Sequence, residues 1–327
     1  MSHLSAKRII HISAMLLCTS NVYAGQWFIQ IDNDAAFGDD GNYSNGLIIG
    51  WEETPASNLS KAPGFMHRQS QLSFTQTQAE KAWGLKLSQQ MWTPSEIAIE
   101  TPQPYERPFA GYLAVESHTA TYSSSLAQKN WLSLGVVGPA SGTQPVQEVV
   151  HKIIGSSSPL GWHNQIENQL TVQLGYEVET LLIRQDFANG SQWEFSGFSH
   201  SQLGNFRSET DLGLTLKWGT SLRNSFGRLS SHSGQYGNLS AEAESGSFFI
   251  YSRASMGYRF NDLTLQGSLP YDSYVELENK QAALTVGVIW VQPGWSVAWS
   301  FNTYTREYQS DPGRHHGYGS LIFSWGM

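Results

Sequence analysis

Along most of the chain apolar and polar residues alternate one by one. Tyr43, Asn45, Leu47, Ile49 and Trp51 fall on one face, and Ser44, Gly46, Ile48, Gly50 and Glu52 on the other. Trp83, Leu85, Leu87 and Gln89 alternate with Gly84, Lys86 and Ser88 in the same way. The pattern recurs at 109–122, 131–137, 169–184, 193–206, 209–221, 247–259, 262–268, 272–291, 294–307 and 317–327. A period of two predicts β-strands. At roughly 50 residues per two-strand unit, with ~10-residue strands, about twelve strands fit the chain. An even number returns both termini to one side. In the last strand Leu321, Phe323, Trp325 and Met327 share a face opposite Ile322, Ser324 and Gly326.

A soluble sandwich would also alternate, so the composition of the outer face decides. Trp92, Trp131, Trp218, Trp290, Trp295 and Trp299 stand near strand ends, as expected of aromatic girdles at a membrane surface. Charged residues are only 14% of the chain and aromatics 13%, while the mean hydropathy is -0.33. Too few charges for an ordinary soluble surface and too polar an average for a helical membrane protein together point to an antiparallel outer-membrane β-barrel. The aromatic load also excludes disorder.

The N-terminus reads as a targeting segment. Lys7 and Arg8 precede a short apolar stretch, Ile9 to Cys18, and Val22-Tyr23-Ala24 fits the small-residue cleavage rule. Residues 1–24 are therefore the expected signal peptide and 25–327 the expected barrel domain. Cys18 is the single cysteine and leaves with that segment. The formal charge of -8 gives no basic surface for a nucleic acid.

One stretch departs from the strand pattern. Gln144 to Gly155 has helical spacing, with Val146, Val149, Val150, Ile153 and Ile154 as an apolar stripe. Pro145 suits the first turn and Gly155 the stop. Gln147 and His151, four apart, share a face. A short helix in an extracellular loop needs a purpose, because loops usually do without one.

Candidate chemistry gathers before and on this helix. Asp32-Asn33-Asp34 closes the first strand and offers either a turn cap or hard oxygen ligands for Ca²⁺. Ser44 follows in Gly41-Asn-Tyr-Ser-Asn-Gly46 and reads as nucleophile, oxygen ligand or wall hydroxyl; it sits in no Gly-x-Ser-x-Gly elbow. His151 is the histidine best placed for a general base.

Seven motifs in order then carry a resemblance: Asn33-Asp34, Gly41–Gly46, Gln90-Met-Trp-Thr-Pro94, Glu106-Arg-Pro-Phe-Ala-Gly111, Gly135-Val-Val-Gly-Pro139, Val146-Gln-Glu-Val-Val-His-Lys152 and Gly161-Trp-His-Asn-Gln165. Together they resemble the outer-membrane lipid A 3′-O-deacylase family. The resemblance implies a twelve-stranded barrel whose site lies between the wall and the loop helix, near the outer leaflet. It implies His151 as the base that activates water, Asn33, Asp34 and Ser44 as wall residues opposite it, and Gln147 one helical turn earlier. It also implies Ca²⁺, for which Asp32, Asn33 and Asp34 offer the oxygen ligands noted above, and the lipid A of lipopolysaccharide as substrate; a monomer in the outer membrane of a Gram-negative bacterium is expected.

Two positions depart from that pattern. An acidic residue can follow the loop helix in the family, where Ser156, Ser157 and Ser158 stand here. A basic pair can follow Thr93-Pro94, where Glu96 and Glu100 stand. Arg107 and Lys152 are then the candidates for lipid phosphates, although Arg107 also fits a structural ion pair. Two other functions suit the same pattern: an outer-membrane phospholipase with Ser44 as nucleophile, and a non-catalytic pore or structural barrel.

Overall fold

The structure is a computed structural model that describes residues 25–34, 41–74, 78–232, 237–239 and 245–326. The expected signal peptide and Met327 lie outside the described residues. Twelve strands run antiparallel, each beside its neighbours in sequence, and β1 pairs with β12 to close the barrel. They are β1 (Gly25–Asn33), β2 (Asn42–Glu53), β3 (Glu80–Thr93), β4 (Ala110–Tyr122), β5 (Leu126–Val137), β6 (Gln169–Asp186), β7 (Gln192–Gly204), β8 (Arg207–Gly219), β9 (Ser247–Asp262), β10 (Lys280–Gln292), β11 (Trp295–Thr305) and β12 (His315–Gly326). Among the described residues four short α-helices interrupt the connections: α1 (Gly64–Gln69), α2 (Thr143–Ile154), α3 (Leu222–Ser225) and α4 (Leu263–Gln266).

The alternation sorts into a lipid face and a lumen. Leu47, Ile49, Leu85, Leu87, Leu132, Leu134, Trp218, Trp290, Trp299 and Phe323 are exposed on the outside. Inside, charges are buried in pairs, as burial of an ion demands. Lys86 Nζ lies 3.1 Å from Glu116, and Arg253 lies 3.3 Å from Glu179 and 3.5 Å from Glu177. A cavity of about 270 Å³ remains among these side chains.

Four local expectations change. Trp131 is wholly buried and faces the lumen, stacked on His232 at 4.4 Å and on His200 at 5.4 Å. Trp92 also points inward, against Tyr43. Neither belongs to a girdle. Residues 263–268 are not a strand: β9 ends at Asp262, whose carboxylate accepts from Thr264 N at 3.0 Å and Thr264 Oγ1 at 2.7 Å, a side-chain cap that starts α4. The stretch from 272 yields a strand only at Lys280.

The connections on the side of the termini are not uniformly short. Residues 54–74 carry α1 onto the outside of the wall. There the Gln69 side chain exchanges two hydrogen bonds with Ser117, Phe74 N donates to Gln128, and Met66 packs against Trp83 and Leu59. In the connection after β8 the described residues 220–232 and 237–239 turn inward instead. Lys217 and Lys129 donate to the carbonyls of Ser225 and Leu229. Ser230 and Ser231 donate to Glu177, His232 sits 2.7 Å from Glu116, and Asn238 N donates to Glu52. The described part of this segment is a plug in the lumen. Burial and the nearby Lys86 ammonium push the His232 imidazole down. At the other end Tyr43, Trp92, Tyr112 and Phe206 form an aromatic layer, with the Tyr112 and Phe206 rings stacked at 4.0 Å.

Candidate active site

The helix α2 belongs to the connection between β5 and β6, on the side away from the termini, and packs on the outside of β3 and β4. Local sequence explains how it docks. Gly111 faces outward on β4 at the point where the helix begins. A Cβ there would lie 1.8 Å from Thr143 Oγ1 and 2.3 Å from Ser141 Oγ, so only glycine admits the approach. Gln89, outward on β3, donates to the Ser141 carbonyl at 2.8 Å. Gly142 (φ 66°) and Gly155 (φ 76°) take the left-handed backbone at the two ends of the helix.

The helix α2 turns its polar side to the wall. Val149 and Val150 are exposed, while Thr143, Gln147 and His151 are buried. The apolar stripe does not seek a protein core. On the outer surface of a membrane barrel the helix turns apolar residues toward lipid and keeps its polar face for the wall. Val146 alone of the described stripe packs inward, on Met91, Ile97, Phe109 and Trp162.

On that polar face His151 Nδ1 lies 2.7 Å from the carbonyl oxygen of Ser157. A carbonyl only accepts, so Nδ1 carries the proton and Nε2 keeps its lone pair. The serine run therefore supplies a main-chain oxygen where the family pattern can supply an acid. One turn earlier, Gln147 Oε1 accepts from the Trp162 indole N–H at 2.7 Å.

The wall residues gather at the tops of β1 to β3. Asn33 Nδ2 donates to the Ser44 carbonyl at 3.3 Å. Ser44 is the extra residue of a β-bulge: Tyr43 pairs with Trp92 and Asn45 with Met91. The bulge moves Tyr43 from the expected outer face into the lumen, where its hydroxyl donates to Asp32 at 2.7 Å. Met91, opposite Asn45, belongs to the cluster under α2, so the ladder joins the Asn33–Ser44 group to the helix. Ser44 Oγ lies 2.6 Å from Thr93 Oγ1 and 3.4 Å from the Asn42 carbonyl; among the described residues no histidine bonds to it.

Of the three expected calcium ligands, two keep suitable oxygens. The Asp34 carboxylate accepts from Gly41 N at 3.0 Å, and Asn33 donates through its amide nitrogen; a carboxylate and an amide are both oxygen donors of the kind a hard cation takes. Asp32 does not fit. It is wholly buried in the lumen and accepts from Gln30, Tyr43 and Ser320. The described residues also bring the ligating atoms of His200, Glu209 and Asp211 within 4.8 Å of one another, but in the lumen, where Glu209 accepts from Arg259 and Gln202.

Arg107 is no phosphate contact. Its guanidinium is buried, 2.7 Å from Glu307 and 3.0 Å from Thr264 Oγ1, and ties together residues 94–109, α4 and 306–314. Burial alone would raise the Glu307 carboxyl, but Arg107, Arg259 and Arg207 outweigh it and hold the group below the ordinary carboxylate range. Lys152 is exposed on α2 and available to an anion.

A family model described as "Outer membrane protein LpxR" matches residues 7–327. The chain belongs to the LpxR family. Among solved structures, LpxR from Salmonella typhimurium is 18% identical, covers 92% of this chain and 100% of its own, and superposes with a TM-score of 0.77. That likeness shows the barrel fold, and membership of a family of outer membrane proteins gives the barrel its multi-pass position in the outer membrane. The β domain of the Bordetella autotransporter BrkA covers 93% of this chain at 12% identity, with a TM-score of only 0.44. A search of curated protein sequences found no match.

Sequence reasoning missed Gly111, Thr93, Trp162 and the Ser157 carbonyl. Trp162 had a signal, since a buried indole needs an acceptor. The Ser157 carbonyl had none, because a main-chain atom leaves no trace in residue identity.

Proposed function

We propose that this LpxR-family barrel hydrolyses the 3′-O-linked acyloxyacyl ester of lipid A in the outer leaflet. The observation that carries the reading is His151: a buried imidazole on the wall-facing side of a lipid-exposed helix, with Nδ1 held by Ser157 and Nε2 free to take a proton. His151 Nε2 takes the proton of a water that attacks the ester carbonyl, and returns it to the departing 3′-oxygen of the sugar. The carbonyl oxygen becomes anionic as the water adds. Asn33 and Asp34 would hold Ca²⁺, which when bound supplies a fixed positive charge beside that oxygen. The exposed Val149 and Val150 favour acyl chains beside the site, and Lys152 offers a charge to a phosphate of the substrate.

Mass spectrometry of lipid A from cells with and without the protein tests this reading. Wild-type protein should remove the 3′-linked acyl mass. His151→Ala should assemble normally and lose about 10²–10⁴-fold in rate. Near-full activity of the folded variant would sink the mechanism. The phospholipase with a Ser44 nucleophile is less well supported, because Ser44 bonds to Thr93 and Asn42 rather than to a base.

A further inference from the structure

The Gln147 side chain is 4% exposed and sits one helical turn before His151 on the same face. Its contact with Trp162 fixes its chemistry. An indole N–H can only donate, so the amide atom 2.7 Å away is the oxygen, and the –NH₂ group points away from the ring. Trp162 is itself immobile: 1% exposed, packed with Met91, Ile97 and Phe109, its ring 5.1 Å from that of Phe109. Among the described residues no acceptor takes the Gln147 amide hydrogens, and that nitrogen is not among the sealed, unpartnered atoms. The polar face of α2 therefore presents a proton acceptor, His151 Nε2, and a fixed neutral donor, Gln147 Nε2, one turn apart.

We propose that Trp162 is a positioning residue: its indole locks the Gln147 amide so that Nε2 donates a hydrogen bond to the ester carbonyl oxygen as it turns anionic. The inference rests on the deacylase reading above. Water oxygen bonds to the carbonyl carbon, its proton goes to His151 Nε2, and the carbonyl π electrons move to the oxygen that Gln147 faces. When the tetrahedral species collapses, that oxygen regains its double bond, the alkoxide leaves, and His151 returns the proton. Gln147 exchanges no proton. A donor aimed at the developing oxyanion strengthens during the reaction and so acts on kcat more than on KM. The plainer alternative is a core tryptophan whose N–H merely found an acceptor.

Four proteins separate the two: wild type, Trp162→Phe, Gln147→Ala and the double variant, each assayed as purified full-length barrel in mixed micelles with lipid A, per folded molecule. Loss of one oxyanion donor typically costs about 10²–10³ in kcat, and Gln147→Ala should fall there. Trp162→Phe keeps an aromatic ring but no N–H; it should lose about tenfold in kcat at nearly constant KM, since the donor survives without its lock. The double variant should be no slower than Gln147→Ala alone. Multiplied losses, or full kcat in folded Trp162→Phe, overturn the proposal. If Trp162→Phe does not fold, Gln147→Glu decides: it keeps an oxygen for the indole and removes the donor, and full kcat there is equally fatal. Failure of these variants with His151→Ala inactive leaves the deacylase reading standing; a wild-type protein that releases no acyl chain ends both.

Discussion

Gly111→Ala tests whether the site depends on how closely α2 lies against the wall. The added methyl carbon would sit 1.8 Å from Thr143 Oγ1, whereas ordinary contact begins at 3.4 Å, a deficit of about 1.6 Å. Rotating Thr143 does not relieve it, because Thr143 Cβ would be only 2.9 Å away. The strand is held by full ladders to β3 and β5, so the helix is the partner that gives way. Overpacking of this kind costs about 1–3 kcal/mol, which a twelve-stranded barrel tolerates. A displacement near 1 Å of a group that must meet the substrate can cost about 10²-fold in rate. The expected variant is therefore assembled but slow, with kcat down about 10²-fold. Assembly is read from resistance to unfolding in unheated SDS, and rate from release of the acyl chain in mixed micelles. Adding Ser141→Ala and Thr143→Ala removes the two nearest oxygens and should recover part of the loss. A Gly111→Ala barrel at full rate would refute the claim that this contact places the helix.

Chelation should abolish activity reversibly and Asp34→Ala should mimic it, whereas Asp32→Asn should leave the calcium requirement unchanged; acyl release titrated with Ca²⁺ after chelator treatment checks all three. Ser44→Ala should retain turnover with no acyl-enzyme in intact-protein mass spectrometry, and a covalent adduct on Ser44 would revive the nucleophile reading. Arg107→Ala removes one of the three guanidinium groups around Glu307 and should destabilise the outer loops by about 1–3 kcal/mol, seen as protease cleavage there while the strands stay protected. For Glu307 itself the folded carboxyl lies below its ordinary value of 4.5, so its contribution is present above pH 4.5 and lost as pH falls through the depressed value; cleavage of residues 306–314 should stay low at pH 5 and rise only well below 4.5. Planar-bilayer recordings should show no steady conductance, because the plug and the aromatic layer occupy the lumen; open-channel currents would contradict that packing.

Much of this architecture was legible in the sequence because a lipid-facing strand has to repeat every second residue. Leu47 and Ile49, Leu85 and Leu87, and Leu321 and Phe323 point outward as the alternation required. The helix was legible because Val146, Val149 and Val150 break that period. Its orientation was not: an apolar stripe looks alike whether it faces a core or a bilayer. The bulge at Ser44 left no mark either, and one extra residue sufficed to send Tyr43 to the other side of the wall. Trp131 and Trp92 were misplaced because an indole at a strand end suits a girdle and a lumen equally. Arg107 needed Glu307, 200 residues away, before its role could be read.

The plug orders the making of the barrel. Its holdfasts are spread around the ring: Glu52 on β2, Glu116 on β4, Lys129 on β5, Glu177 on β6 and Lys217 on β8. No hairpin by itself can retain the segment, so it docks only when a curved sheet from β2 to β8 already exists. The β1–β12 seam joins the two ends of the chain and has the longest sequence separation of any pairing. A barrel that sealed this seam first would trap an unfilled lumen in which Glu52, Glu116, Glu177, Lys129 and Lys217 lack the hydrogen bonds of the plug. Late closure of the seam around an already seated plug is the route that the arrangement favours, and it makes the connection between β8 and β9 an internal template for the curvature of the wall.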